Sequence, residues 1–238
     1  GDELLERLAQ HDGVAQQESA LGLISRLVSE NRQPHLPGLP PFQGGLAGYV
    51  AYDFGRRLEP AARIPDFAPL CPDLMLHHFD CVAAFDHMQE RAWIISASTE
   101  RADELEELLA RRPRALGSHA VTGFESNFSR TAYEEAIART VEYILAGDIF
   151  QANITQTFAA ALPQGFDALA FYLALRRRNP ATFAAFLDYG SVQIASSSPE
   201  RLLRVEDASV EARPIKGTRR RDPDPARDAS QIASLTSS

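Results

Sequence analysis

Apolar residues recur at three- and four-residue spacing through the first thirty positions. Leu4, Leu5 and Leu8 precede a break at His11-Asp12-Gly13, and Leu21, Ile24, Leu27 and Val28 follow it. That period predicts helix on both sides of the break. A connector rich in proline and glycine runs from Pro34 to Pro41. The stretch from Phe42 to Asp53 then reads as a strand entered through glycines. No strand precedes those glycines, so they do not fit a dinucleotide-binding fingerprint. They are expected instead to let another backbone or side chain approach closely. Further strands are predicted near 74–86 and 91–98, followed by a charged helix near 100–112.

The clearest helix spans 129–146. Thr131 with Glu134 fits a capping box, Ser129 is an alternative cap, and Gly147 ends the element. Tyr133, Ile137, Val141, Ile144 and Leu145 form its apolar stripe. The next stretch alternates: Phe150, Ala152, Ile154 and Phe158 on one face, Gln151, Asn153, Thr155 and Thr157 on the other. This predicts a strand whose second face is polar without charge, suited to a hydrogen-bonded interior or pocket wall, with ordinary solvent exposure as the alternative. A helix near 166–177 stops before Asn179-Pro180. Two hairpins follow, one turning near Asp188-Tyr189-Gly190 and one joining strands near 201–206 and 209–215.

Composition narrows the classes. The 238 residues carry a net charge of −8, which argues against a nucleic-acid partner. No apolar run reaches the ~18 residues of a spanning helix, and the acidic start is no secretory signal. Cys71 and Cys81, outside any CxxC pattern, suggest two free thiols in a reducing cytoplasm. His77 and His78 are strand neighbours and point to opposite sides, so they do not chelate one ion together. One count changes the picture. Of 24 basic residues, Lys216 is the only lysine and the other 23 are arginine. Arginine stays protonated, whereas a lysine can lose its proton and act as nucleophile or base.

The second hairpin gives that lysine a neighbour. A three-residue loop, Asp207 to Ser209, places Glu200 directly opposite Lys216, and a two- or four-residue loop moves the register by one and leaves them neighbours. Opposed residues in a ladder lie ~5 Å apart at Cβ. An exposed Glu–Lys pair is worth only about 0.5 kcal/mol. The setting favours chemistry: Ser196-Ser197-Ser198-Pro199 surrounds the acid with small residues, and Pro214-Ile215-Lys216-Gly217-Thr218 is stiff and then flexible. An amine attacks carbon only when neutral, and an ordinary lysine is ~0.1% neutral near neutral pH. Desolvation or nearby cations such as Arg213 depress its pKa, each unit requiring about 1.4 kcal/mol. An ionised Glu200 opposes that, so the pair suits an acid that is partly protonated, as a proton donor is.

The chain here resembles the chorismate-utilising enzymes: anthranilate synthase, aminodeoxychorismate synthase, and the isochorismate and salicylate synthases. In order, the matching residues are Phe42-Gln43-Gly44-Gly45 with Gly48-Tyr49 and Tyr52-Asp53, Ser126-Asn127-Phe128-Ser129, and Gly147-Asp148-Ile149-Phe150-Gln151-Ala152-Asn153. Ser197-Ser198-Pro199-Glu200-Arg201 and Arg213-Pro214-Ile215-Lys216-Gly217-Thr218 complete the set. The resemblance implies an α+β fold of large antiparallel sheets flanked by helices. It divides the chain into a helical segment and connector, 1–40, and the N-terminal part of the chorismate-binding fold, 41–238, cut short at both ends.

Anthranilate synthases generally carry alanine where this chain has Lys216, whereas aminodeoxychorismate synthases carry lysine. Gly55-Arg56-Arg57 also looks more like the latter. The resemblance therefore implies that Lys216 adds to C2 of chorismate as the C4 hydroxyl leaves. Ammonia, supplied by a glutamine amidotransferase subunit or domain, then attacks C4. Glu200 takes the role of general acid and base, Thr218 a hydrogen bond to the leaving hydroxyl, and Gly217 a substrate contact. Magnesium is expected, with its ligands in the family's C-terminal half and none in this chain, and the 238 residues alone are expected to be inactive. Asn179-Pro180-Ala181-Thr182-Phe183 matches a segment near the tryptophan pocket of related enzymes. Anthranilate-, isochorismate- or salicylate-forming activity and a non-enzymatic scaffold are the alternatives.

Overall fold

The computed structural model describes residues 19–59, 71–215 and 217–237. Residues 3–18 of the predicted helical region 3–30, with its break at His11-Asp12-Gly13, and Lys216 lie outside the described residues. The chain divides into two compact units, 1–114 and 115–238, each built from antiparallel strand pairs and capped helices.

In the first unit, α1 (Ala20–Glu30) starts at Ser19, whose hydroxyl accepts from the Gly22 amide at 3.1 Å, and buries Leu23. The connector after it is closed by Gln43. Its side-chain amide accepts from Leu36 N–H and donates to Leu36 C=O, both at 2.9 Å, as a strand partner would. β1 (Gly45–Val50) pairs with β2 (Leu74–Phe79), from Gly45 opposite Phe79 to Val50 opposite Leu74. The glycines serve the predicted close approach: Gly44 has φ +130°, and a Cβ there would lie 2.9 Å from the Phe79 carbonyl oxygen. A 3₁₀ turn over Tyr52–Phe54 buries Phe54 and leads into α2 (Gly55–Leu58), where Arg56 reaches Asp53 and Arg57 reaches Asp73.

The single strand expected near 74–86 is two. It breaks at Asp80, and β3 (Cys81–Asp86) pairs with β4 (Arg91–Ser96) rather than continuing beside β1. Both halves are apolar enough to read as one run, and only the change of ladder partner separates them. Asp86 closes the β3–β4 turn by accepting from the Met88 and Gln89 amides. α3 (Thr99–Ala110), capped by Ser98, packs on this pair, and the Cys81 thiol points at the Arg101 carbonyl. Cys71 and Cys81 are both free thiols.

The second unit opens with β5 (Glu125–Ser126) and α4 (Arg130–Ala146). Ser129 is the cap, accepting from the Ala132 amide at 3.2 Å, and Gly147 ends the helix in a left-handed conformation. Thr131 is therefore inside the helix, and Glu134 serves Arg130 at 2.7 Å instead of closing a capping box. The strand expected over 150–158 is the clearest departure. Only β6 (Phe158–Ala159) forms a ladder, against β5, and 151–157 carry no strand. Alternation is a local pattern, but a strand needs a ladder partner, and among the described residues only 125–127 supply one. The neutral polar row is largely exposed, with Gln156 reaching the Ser126 hydroxyl and Thr157 exchanging hydrogen bonds with Asn127.

α5 (Ala168–Arg178) begins at Asp167, which is 8% exposed. One of its oxygens caps the Ala170 amide and the other accepts from Gly117 N–H at 2.8 Å, fifty residues earlier in the chain. The helix lies on the hairpin of β7 (Phe183–Asp188) and β8 (Gln193–Ser198), where the rings of Tyr172 and Phe186 are 5.4 Å apart. β9 (Arg204–Glu206) and β10 (Ser209–Glu211) form the last hairpin, and α6 (Pro225–Thr236) closes the unit. The α+β class and antiparallel pairing agree with expectation. The sheets are smaller than the resemblance implies, because every described ladder holds two strands. Among the described residues no helix is long and apolar enough to cross a membrane.

Candidate active site at the open end of the last hairpin

The β9–β10 loop has two residues, Asp207 and Ala208, with Asp207 at φ +51°, and Ser209 pairs with Glu206. This is the shifted register, not the three-residue loop. Extended along the strands, it sets Glu200 opposite Ile215 instead of Lys216. The backbone ladder stops at Arg204 opposite Glu211. The side chains nevertheless keep that register: Glu200 Oε1 accepts a hydrogen bond from the Ile215 amide at 3.1 Å. The predicted acid is thus attached to the residue that precedes the chain's one lysine. Lys216 itself is outside the described residues.

The segment before Glu200 is fixed by short polar side chains. Ser198 donates to the Glu200 carbonyl at 3.0 Å. Ser197 donates to the Asn179 carbonyl at 2.8 Å, while the Asn179 amide donates back to the Ser197 hydroxyl at 3.0 Å. The serines that read as small surroundings for the acid are struts between the end of α5 and the strand that delivers Glu200. Pro199 removes a donor here and restricts the backbone of Ser198 to extended geometry.

A charged network absent from the sequence reading sits beside this pair. Glu211 accepts from Arg201 on one oxygen and from Arg213, at 2.5 Å, on the other. Arg201 also lies over the Phe183 ring at 5.5 Å. The sequence carried a signal for it: with a two-residue loop, Glu211 faces Arg204, and the arginines at 201 and 213 come within reach of its carboxylate.

Beyond the hairpin, Gly217 has φ +67°, and a Cβ there would lie 3.3 Å from Leu235 Cδ1 on α6. The left-handed backbone favours glycine at this point, next to the residue expected to react. Thr218 is exposed, and its carbonyl accepts from Arg219 at 3.0 Å. The described contacts therefore join Glu200 to Ile215 and Gly217 to α6, and do not join the Thr218 hydroxyl to Glu200. The chain then folds back along α6. Arg221 binds Asp228 through Nε and Nη2 at 2.8 Å each, and Asp224 caps the Ala226 and Arg227 amides at 3.0 Å. The Arg221 hydrogen bonds, with the Asp222 amide, hold the Asp228 carboxyl below its ordinary range.

Among the described residues no group of three or more His, Cys, Asp or Glu side chains could hold a metal ion. His77 is half-buried and His78 exposed, on opposite sides of β2 as expected.

The comparisons with known proteins identify the family to which this fold and motif order belong. Residues 5–238 match the family model described as chorismate binding enzyme, and the chain belongs to that family. It is 37% identical to anthranilate synthase component 1 of Thermus thermophilus, covering 81% of this chain and 43% of that protein. Against the Pseudomonas aeruginosa protein of the same name it is 38% identical, over 84% of this chain and 44% of the relative. It is also 33% identical to aminodeoxychorismate synthase component 1 of Escherichia coli, over 83% and 43%. The solved structure of anthranilate synthase component I from Streptococcus pneumoniae superposes with a TM-score of 0.71 at 26% identity, over 90% of this chain and 50% of that one. The chain spans about half the length of the curated relatives it matches.

Proposed function

We propose that the protein carrying this chain aminates chorismate as the aminodeoxychorismate synthases do, with Lys216 as covalent nucleophile and Glu200 as general acid and base. The observation that carries this reading is the 3.1 Å hydrogen bond between Glu200 and the Ile215 amide, one residue before the chain's only lysine. In this reading the Lys216 amine adds to C2 of chorismate. Both ring double bonds shift, from C1=C2 and C5=C6 to C1=C6 and C4=C5, and the C4 hydroxyl leaves as water with the proton of Glu200. Thr218 hydrogen-bonds that hydroxyl, and Gly217 contacts the substrate. Ammonia then attacks C4, both double bonds shift back, and the lysine departs from C2 with its electron pair. The ammonium proton passes to Glu200, which returns to its acid form. The product is 4-amino-4-deoxychorismate.

Ammonia comes in this reading from a glutamine amidotransferase partner, since the relatives are named as component 1. Magnesium takes its ligands from the part of the relatives' length that this chain does not span. The test is mass spectrometry of the intact protein. With chorismate and magnesium but no ammonia, it is expected to gain the mass of chorismate less one water, on Lys216. Lys216→Ala gains nothing. Turnover by the wild type with no such adduct on any time scale sampled would sink the covalent step.

A second reading has its own support. The Thermus and Pseudomonas anthranilate synthases share 37% and 38% identity, against 33% for the E. coli aminodeoxychorismate synthase. An anthranilate-forming enzyme adds ammonia directly at C2 and has no use for a lysine nucleophile. Product identity separates the two.

A further inference from the structure

We propose that Glu211 is a positioning residue, whose carboxylate ties the two strands of the last hairpin together beyond the end of their ladder and so holds Glu200 in place. The inference rests on the proposed acid–base role of Glu200, and not on which amine attacks.

The ladder ends at Arg204 opposite Glu211. Past it, neither 201–203 nor 212–215 has a strand partner, so backbone hydrogen bonds do not fix the distance between the strands where Glu200 and Ile215 meet. Side chains take over. Glu211 holds Arg201 from one strand and Arg213 from the other, each on its own oxygen. Glu200 and Ile215 form the next rung outward. Arg201 directly follows Glu200 in the chain, and its guanidinium also lies over Phe183 of β7. Gripping Arg201 therefore fixes the residue next to the acid against two neighbouring elements. Charge-assisted hydrogen bonds of this type are the stronger and more directional kind. The Glu211 side chain is 32% exposed, so water competes only in part.

The experiment measures chorismate consumption per active site in the intact protein with ammonium and magnesium. This readout does not depend on the product. Glu211→Gln is expected to lower kcat roughly 10- to 100-fold, the effect of a catalytic group displaced by about an ångström. KM for chorismate is expected to stay unchanged, so that the loss falls on kcat. Glu211→Asp, which keeps the charge, falls between the two. Glu206→Gln, which removes the adjacent Arg204 pair, is expected to behave as wild type. A purely structural role would reduce the folded fraction but leave kcat per folded site unmoved, and that result overturns the inference. If Glu211→Gln does not accumulate, Arg201→Gln removes the arm of Glu211 that crosses between the strands and must slow consumption. Glu200→Gln is the reference: if it consumes chorismate normally, the acid role falls and the inference with it. If it is inactive while Glu211→Gln is normal, only the inference falls. Anthranilate as product leaves the clamp standing and removes the lysine step alone.

Discussion

The Glu200 carboxylate accepts a hydrogen bond from the Ile215 amide at 3.1 Å, although the backbone ladder of that hairpin ended four residues earlier. The contact ties the Glu200 carboxylate to the residue that precedes Lys216 in the chain. Glu200→Gln keeps an acceptor for the Ile215 amide but cannot release a proton. It is expected to fold with an unchanged thermal midpoint while chorismate consumption falls about 100- to 10,000-fold. Parallel melting and steady-state assays check both halves. A variant with wild-type turnover would remove Glu200 from the chemistry.

Asp167 is the most buried carboxylate among the described residues and serves two backbone donors, the nearby Ala170 N–H and the distant Gly117 N–H. Asp167→Ala leaves both without their acceptor. The expected loss is about 1–3 kcal/mol of stability, read as a lower denaturation midpoint. Asp167→Asn retains an oxygen for only one of the two donors and is expected to fall between them.

Gly44 meets the Phe79 carbonyl so closely that a methyl group has no room, and its φ of +130° is strained for any other residue. Gly44→Ala is expected to cost about 1–3 kcal/mol and to loosen the β1–β2 pair. Faster amide exchange at Leu46 and Phe79, with β3–β4 unaffected, is the signature to seek. Equal protection in both proteins would contradict the close approach.

Arg221 and Asp228 anchor the chain after Thr218 to α6, and the hydrogen bonds from Arg221 hold the Asp228 carboxyl below its ordinary value of 3.8. A depressed carboxyl pKa contributes stability above the unfolded value, and that contribution is lost as pH falls through the folded value. The α6 contact is therefore expected to be intact from neutral pH down to the ordinary aspartate range and to weaken only below it. NMR titration of Asp228 reads this directly, and Arg221→Gln is expected to bring its midpoint up toward 3.8. An unchanged midpoint would show that the arginine is not the cause.

Local chemistry made much of this legible in the sequence. Ser129 and Gly147 bound α4 because a hydroxyl cap and a left-handed glycine act within one turn. The last hairpin could be drawn from its strands, with the two-residue loop among the lengths that its sequence allows. What was illegible depends on partners distant in sequence. Phe150 to Phe158 alternates as a strand does, yet only its last residues find a ladder. The 74–86 run changes partner at Asp80 with no change in hydrophobicity. Asp167 is readable as a helix cap from its position, but nothing local marks its bond to Gly117. Glu211 was hidden because one residue of loop length decides which side chains face each other.

The most direct test of the central claim is the product formed by the intact protein from chorismate, ammonium and magnesium. The account predicts 4-amino-4-deoxychorismate, with the activity lost in Lys216→Ala. Anthranilate with pyruvate, formed equally well by Lys216→Ala, would contradict it.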